Sequence, residues 1–136
     1  MPPEVVRSGR GKDRQLPLAR VRLGRSGEIA AAAELGRRGY EILASNYRGP
    51  HGEIDLIARD GDCLVFVEVR CKRDANFGTP AESVTPAKQR KIAATAQHYL
   101  DEHSIKDVDC RFDVVAVMPR DGKLVADVIT NAFEVQ

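Results

Sequence analysis

Three strand-like runs follow one another between Tyr40 and Lys72, YEILASNYR, EIDLIARD and CLVFVEVRCK, and a helical stretch then separates the third from a fourth, RFDVVAVM. This order constrains the fold more than any other feature of the chain. Asp60-Gly61, between the second and third runs, reads as a tight hairpin and makes those two strands antiparallel. A helix between consecutive strands is what a parallel crossover needs, so the third and fourth strands are expected side by side and parallel. A fifth run, KLVADVI, comes after the turn PRDG. The expected fold class is α/β, a mixed central sheet of about five strands flanked by helices in the order αβββαββ.

The helices carry their own punctuation. Ser26 as N-cap and Gly39 as stop predict a first helix from about Gly27 to Arg38, with Ile29, Ala32, Ala33 and Leu35 or Gly36 as a small-residue face for close packing on a sheet. Thr85 followed by Pro86 predicts the N-cap and first position of a second helix that runs to about His103. Ile92, Ala96, Tyr99 and Leu100 give it an apolar stripe. The stretch RDANFGTPAESV, residues 73–84, has the Gly and Pro content of a loop.

With 136 residues, 43% hydrophobic and 30% charged, the chain is long enough to bury one core and too apolar for general disorder. Cys63, Cys71 and Cys110 are odd in number and lack CxxC spacing, which argues against a disulfide framework and against zinc. Cys71 and Cys110 are expected as buried thiols. The N-terminal charges are not followed by a long apolar stretch, so no signal peptide or membrane span is expected and the location is read as cytoplasmic. The net charge of +1 conceals an asymmetry: residues 1–25 hold seven bases against two acids, and the remainder 14 bases against 18 acids. Residues 1–21 are therefore read as a basic, flexible arm and 22–136 as the domain. Such an arm suits nucleic-acid backbone, the alternative being a solvated leader with no partner.

The run FVEVRCK begins as core and ends in charge. Alternate strand residues share a side, so Glu68, Arg70 and Lys72 stand together opposite Val67, Val69 and Cys71. Glu53 and Asp55 are expected on one face of the preceding strand. Counting outward from the hairpin sets Asp55 and Glu68 roughly opposite each other. Carboxylates meeting across adjacent strands repel unless a cation or proton lies between them, which marks this pair as ligands for a divalent metal. Carboxylate oxygens with open water positions suit Mg²⁺ or Mn²⁺, and such an ion supplies what phosphodiester hydrolysis needs. Glu28 either completes the set or serves as a helix-dipole acid, which its place in the first turn alone favours. Asp113 with Arg111 reads as structural, His51 as an exposed loop residue, and Phe77 as a loop anchor.

GEIDLIARDGDCLVFVEVRCK resembles the Asp…Glu-x-Lys core of the PD-(D/E)xK, restriction-endonuclease-like superfamily. GRSGEIAAAAELGRRGYEILASNYR, GEIDLIARD, LVFVEVR, FGTPAESVTPAKQRKIAATAQHYL and RFDVVAV, in that order, resemble the YraN family of small bacterial proteins. The resemblance implies a restriction-endonuclease-like fold and a nuclease-like site related to Holliday-junction resolvases. Carried over by position, Glu28, Asp55 and Glu68 match the motif acids and metal ligands, while Arg70 stands where the motif has lysine. Arginine stays protonated and cannot act as a base, although it can stabilise phosphate charge. Lys72 is about 6.6 Å further along the strand. Lys88, in the first turn of the second helix, is the third candidate, or else a lysine snorkelling over apolar surface.

By this resemblance the chain is expected to be a Mg²⁺- or Mn²⁺-dependent endonuclease-like protein acting on structured or branched DNA. Arg22, Arg25, Arg37, Arg38 and Gln89 are the expected nucleic-acid contacts, and a homodimer the assembly suggested by resolvases. The alternative is a non-catalytic nucleic-acid-binding module whose nuclease site degenerated at Arg70.

Overall fold

A computed structural model describes residues 18–71 and 84–134 of the chain, with side chains from Arg25 onward. Its elements are α1 (Leu18–Arg37), β1 (Glu41–Gly49), β2 (Gly52–Asp60), β3 (Cys63–Cys71), α2 (Pro86–Glu102), β4 (Asp109–Arg120) and β5 (Lys123–Phe133). The strands form one sheet in sequence order, antiparallel except for the β3–β4 pair, which is parallel. The α/β class, the αβββαββ order and the mixed five-stranded sheet are thus as the sequence implies. Among the described residues no helix is long and apolar enough to cross a membrane.

The helices cover opposite faces, and β3 shows why its sequence is so apolar. Leu64 and Phe66 join Ile92, Ala96 and Tyr99 beneath α2, whereas Val65 and Val67 join Ala31 and Leu35 beneath α1. A strand buried on both faces needs a continuous hydrophobic run rather than alternation. Each of these large side chains contributes about 1.5–3 kcal/mol by leaving water.

Local chemistry sets the boundaries. The Thr85 hydroxyl accepts the Lys88 N–H at 3.2 Å, so Thr85 and Pro86 open α2 as predicted. Gly39 adopts φ +90° and the Tyr40 N–H reaches the Leu35 carbonyl at 3.0 Å, which closes α1. The start of α1 is a correction. It lies at Leu18, so Ser26 sits within the helix and is not its cap. LARVRLGR is rich in helix formers that carry the helix through Ser26. Cys71 and Cys110 are exposed, not buried, because they stand near the ends of β3 and β4. Residues 1–17 of the basic arm, Lys72 and Phe77 lie outside the described residues.

Asp113 is structural, as expected. It is wholly buried and accepts from the Arg111 guanidinium at 2.9 Å, the Tyr40 hydroxyl at 3.0 Å and the Asn131 backbone N–H at 2.9 Å. Arg111 also reaches Asp60 at 3.0 Å, tying the β2–β3 turn to β4. Burial, followed by the charge of Asp113, pushes the Tyr40 phenol up to about 12.

Candidate metal and phosphate site

The site forms where β2 and β3 part. Their pairing runs from Asp60–Cys63 to Leu56–Val67, and the next position in that register sets Asp55 against Glu68. There the Val69 N–H donates to Asp55 Oδ2 at 2.7 Å, so a side chain closes the seam that the backbone ladder leaves open. The alternation of β2 breaks at the same place. Ile54 and Ile57 both lie beneath α2, with Leu56 beneath α1. Glu53 and Asp55 therefore do not simply share a strand face: Glu53 pairs with Arg48 of β1 at 3.1 Å, and Asp55 turns into the seam.

Glu68 is buried, 5% exposed, on the α2 side of β3. Lys88 Nζ stands 3.3 Å from Glu68 Oε2, and Arg70 Nη1 3.5 Å from the same oxygen. The parallel crossover explains the first contact, since α2 must begin near the end of β3 to run back across the sheet. Burial, and next the neighbouring Glu68 carboxylate, push the Asp55 carboxyl well above the ordinary aspartate range, although the Val69 N–H acts in the opposite direction. Glu28 also adds to that upward push, which places its charge within reach of the pair.

Glu28 is delivered by close packing. A Cβ on Gly27 would collide with Cys71 Sγ, so glycine lets α1 come down onto the end of β3. On the other side, Asn46 of β1 donates from Nδ2 to Glu28 Oε2 at 3.2 Å. Sequence reasoning passed over Asn46. Its signal was an asparagine inside an otherwise strand-like run, a residue disfavoured in strands yet tolerant of the left-handed conformation it adopts, φ +52°.

The remaining candidates are dispersed. Arg37 and Arg38 both bind Glu34, at 2.7 and 3.0 Å, and the Gln89 side-chain amide donates to the Val84 carbonyl at 2.9 Å. Arg25 and His51 are exposed, and Arg22 lies on α1. Among the described residues no three His, Cys, Asp or Glu side chains converge into a metal cage. The donor set is a carboxylate pair, Asp55 and Glu68, with Glu28 beside it. That fits Mg²⁺ or Mn²⁺, which keep water and phosphate oxygens as ligands, and does not fit zinc.

Comparison with known proteins decides the family. Residues 27–117 match the family described as uncharacterised protein family UPF0102. The chain belongs to UPF0102. This is the family to which the YraN resemblance pointed. A UPF0102 protein of Symbiobacterium thermophilum is 52% identical over 113 residues, 82% of this chain and 96% of its own. One from Moorella thermoacetica is 45% identical over 120 residues, covering 87% of this chain and all of its own. One from Geobacter sulfurreducens is 46% identical over 114 residues, or 82% and 88% of the two chains. The UPF0102 match includes Glu28, Asp55, Glu68, Arg70 and Lys88.

Proposed function

We propose that this UPF0102 protein is a Mg²⁺- or Mn²⁺-dependent endonuclease acting on structured or branched DNA. The observation that carries the reading is the meeting of Asp55 and Glu68 at the open end of the β2–β3 seam with a lysine ammonium 3.3 Å from Glu68. Two acids and a cation at one strand seam are the components of metal-assisted phosphodiester hydrolysis. Asp55 and Glu68 would hold the ion, and Glu28 would assist directly or through water. When bound, the ion supplies Lewis acidity toward a phosphoryl oxygen and a bound water of lowered pKa.

The chain's own groups do the rest. Lys88 takes the role that the motif lysine would have had, orienting the attacking water beside Glu68. Arg70 stays charged and steadies the phosphate. Exposed bases such as Arg25, together with the basic sequence of the arm, add contacts to backbone phosphates that carry no sequence information. The branched-DNA element rests on analogy with resolvases, as does a homodimer.

Arginine at the motif position favours one other reading, a nucleic-acid-binding module without cleavage. The deciding experiment is cleavage of labelled duplex, flap, four-way-junction and single-stranded DNA with Mg²⁺ or Mn²⁺, wild type beside Glu68→Ala. Metal-dependent cutting lost in Glu68→Ala is the expected result. Salt-sensitive binding without cutting in Mn²⁺ would establish the binding module instead.

A further inference from the structure

The sheet ends in two edge strands, β1 and β5, and the two are built differently. β1 is poorly suited to accept another strand. Its register slips between Ile42 and Ala44, its backbone turns left-handed at Asn46, φ +52°, and Glu41 and Arg48 charge its two ends. Irregularities and charges of this kind keep sheet edges from pairing with other chains. β5 is irregular only toward its C-terminal end, near the left-handed Asn131. From Lys123 to Ile129 its pairing with β4 continues without a shift, and no strand among the described residues pairs with its outer side. Alternate residues there direct backbone N–H and C=O groups away from β4.

This run, KLVADVI, holds two charges, Lys123 and Asp127, both exposed. Residues directly opposite each other in a sheet share a face, so a two-fold axis that pairs β5 with itself antiparallel must pass through a residue. Centring the axis on Val125 sets Lys123 of each copy against Asp127 of the other. Centring it on Lys123 or Asp127 brings like charges together, on Leu124 it sets Asp127 against Asp121, and on Ala126 it leaves both charges facing apolar residues. Opposite charges facing across strands stabilise a pair and like charges oppose it. The register about Val125 also answers for Leu124, which is 40% exposed. Leu124 shares a face with Ala126 and Val128, which pack toward α1, and the pairing lays it on Ala126 of the second copy.

We propose that the outer edge of β5 is a self-association surface, on which a second copy of this chain adds its own β5 antiparallel about Val125 and continues the sheet. Backbone hydrogen bonds give the affinity, and the match of Lys123 with Asp127 sets the register. The proposal stands apart from the metal-dependent reading, since none of these residues belongs to the seam at Asp55 and Glu68. A strand-to-strand contact is small, so the dimer dissociates on dilution.

Sedimentation equilibrium of the full chain across the micromolar range is the test, on wild type, Lys123→Asp, Asp127→Lys and the double exchange, with thermal unfolding of each to confirm the fold. Reversible dimers are expected for wild type. Each single exchange sets two like-charge pairs across the interface and is expected to raise the dissociation constant about 10-fold. The double exchange restores opposite charges and is expected to recover wild-type association. A monomer at every concentration overturns the proposal. So does a dimer indifferent to the single exchanges, which would place the interface elsewhere, or a loss that the double exchange does not recover, which would deny this register.

Discussion

At the scale of single residues, the site is defined by charges that oppose one another until something enters between them. Asp55 is the clearest case. Its carboxyl is pushed up first by burial and next by Glu68, so it holds its proton more tightly in the folded chain than in the unfolded one. The consequence for stability has a definite sign: a raised carboxyl favours folding while protonated, and that advantage is lost as pH rises above the ordinary aspartate value of 3.8 through the folded value. Asp55→Asn, whose side-chain oxygen can still accept from Val69 N–H, is therefore expected to unfold at higher temperature than wild type at pH 7. The gap should close at about pH 4. Saturating Mn²⁺ should raise the melting temperature of wild type and leave Asp55→Asn unmoved. Lys88 gives a complementary expectation. Its ammonium competes with any ion for Glu68, so Lys88→Met should bind Mn²⁺ more tightly in titration yet cleave DNA about 100-fold more slowly. A cleavage rate that survives Lys88→Met would move the catalytic cation to Arg70.

At the scale of elements, close approach of α1 to the end of β3 is what delivers Glu28. Gly27→Ala sets a methyl group against Cys71 Sγ, which must turn aside, and the helix preference for alanine offsets part of that cost, so a net loss of no more than about 1 kcal/mol is expected in chemical denaturation. Adding Cys71→Ala should restore most of that loss, since it empties the space the methyl needs. Failure of the rescue would mean that α1 is placed by other contacts. The elements were legible because their signals are local and independent. Thr85-Pro86 marks the start of α2 without reference to anything else, and the helix between β3 and β4 dictates a parallel pair, which in turn predicts Lys88 near the charged end of β3. The start of α1 was not legible, because Ser26 has the chemistry of a cap whether or not a helix already passes through it. The seam was half legible. Counting from the hairpin sets Asp55 opposite Glu68, but the break in alternation that turns Asp55 away from Glu53 arises from pairing with a left-handed Asn46, which no period in β2 reveals.

At the scale of the whole molecule, the three layers divide their tasks. The hairpin end of the sheet is locked by the buried Tyr40 and Asp113 with the partly exposed Arg111 and Asp60, among which opposite charges meet. At the parting of β2 and β3, Glu68 meets Arg70 and Lys88 beside Asp55, whose carboxyl is raised by burial first and by the Glu68 charge next. A fold that satisfies one end fully and leaves the other held by groups a metal could displace has the layout of a scaffold and its site. Under the proposed function, the same layout offers a substitute for the motif lysine that Arg70 replaces, because the crossover brings Lys88 to Glu68 from another element. Metal-dependent cleavage through Glu68 is decided by single-turnover cutting of a labelled four-way junction in Mn²⁺, wild type against Glu68→Gln at matched folding. Cutting is expected to vanish with a chelator and to fall at least about 100-fold in Glu68→Gln. Equal rates in the two proteins, or cutting that persists in chelator, would contradict it.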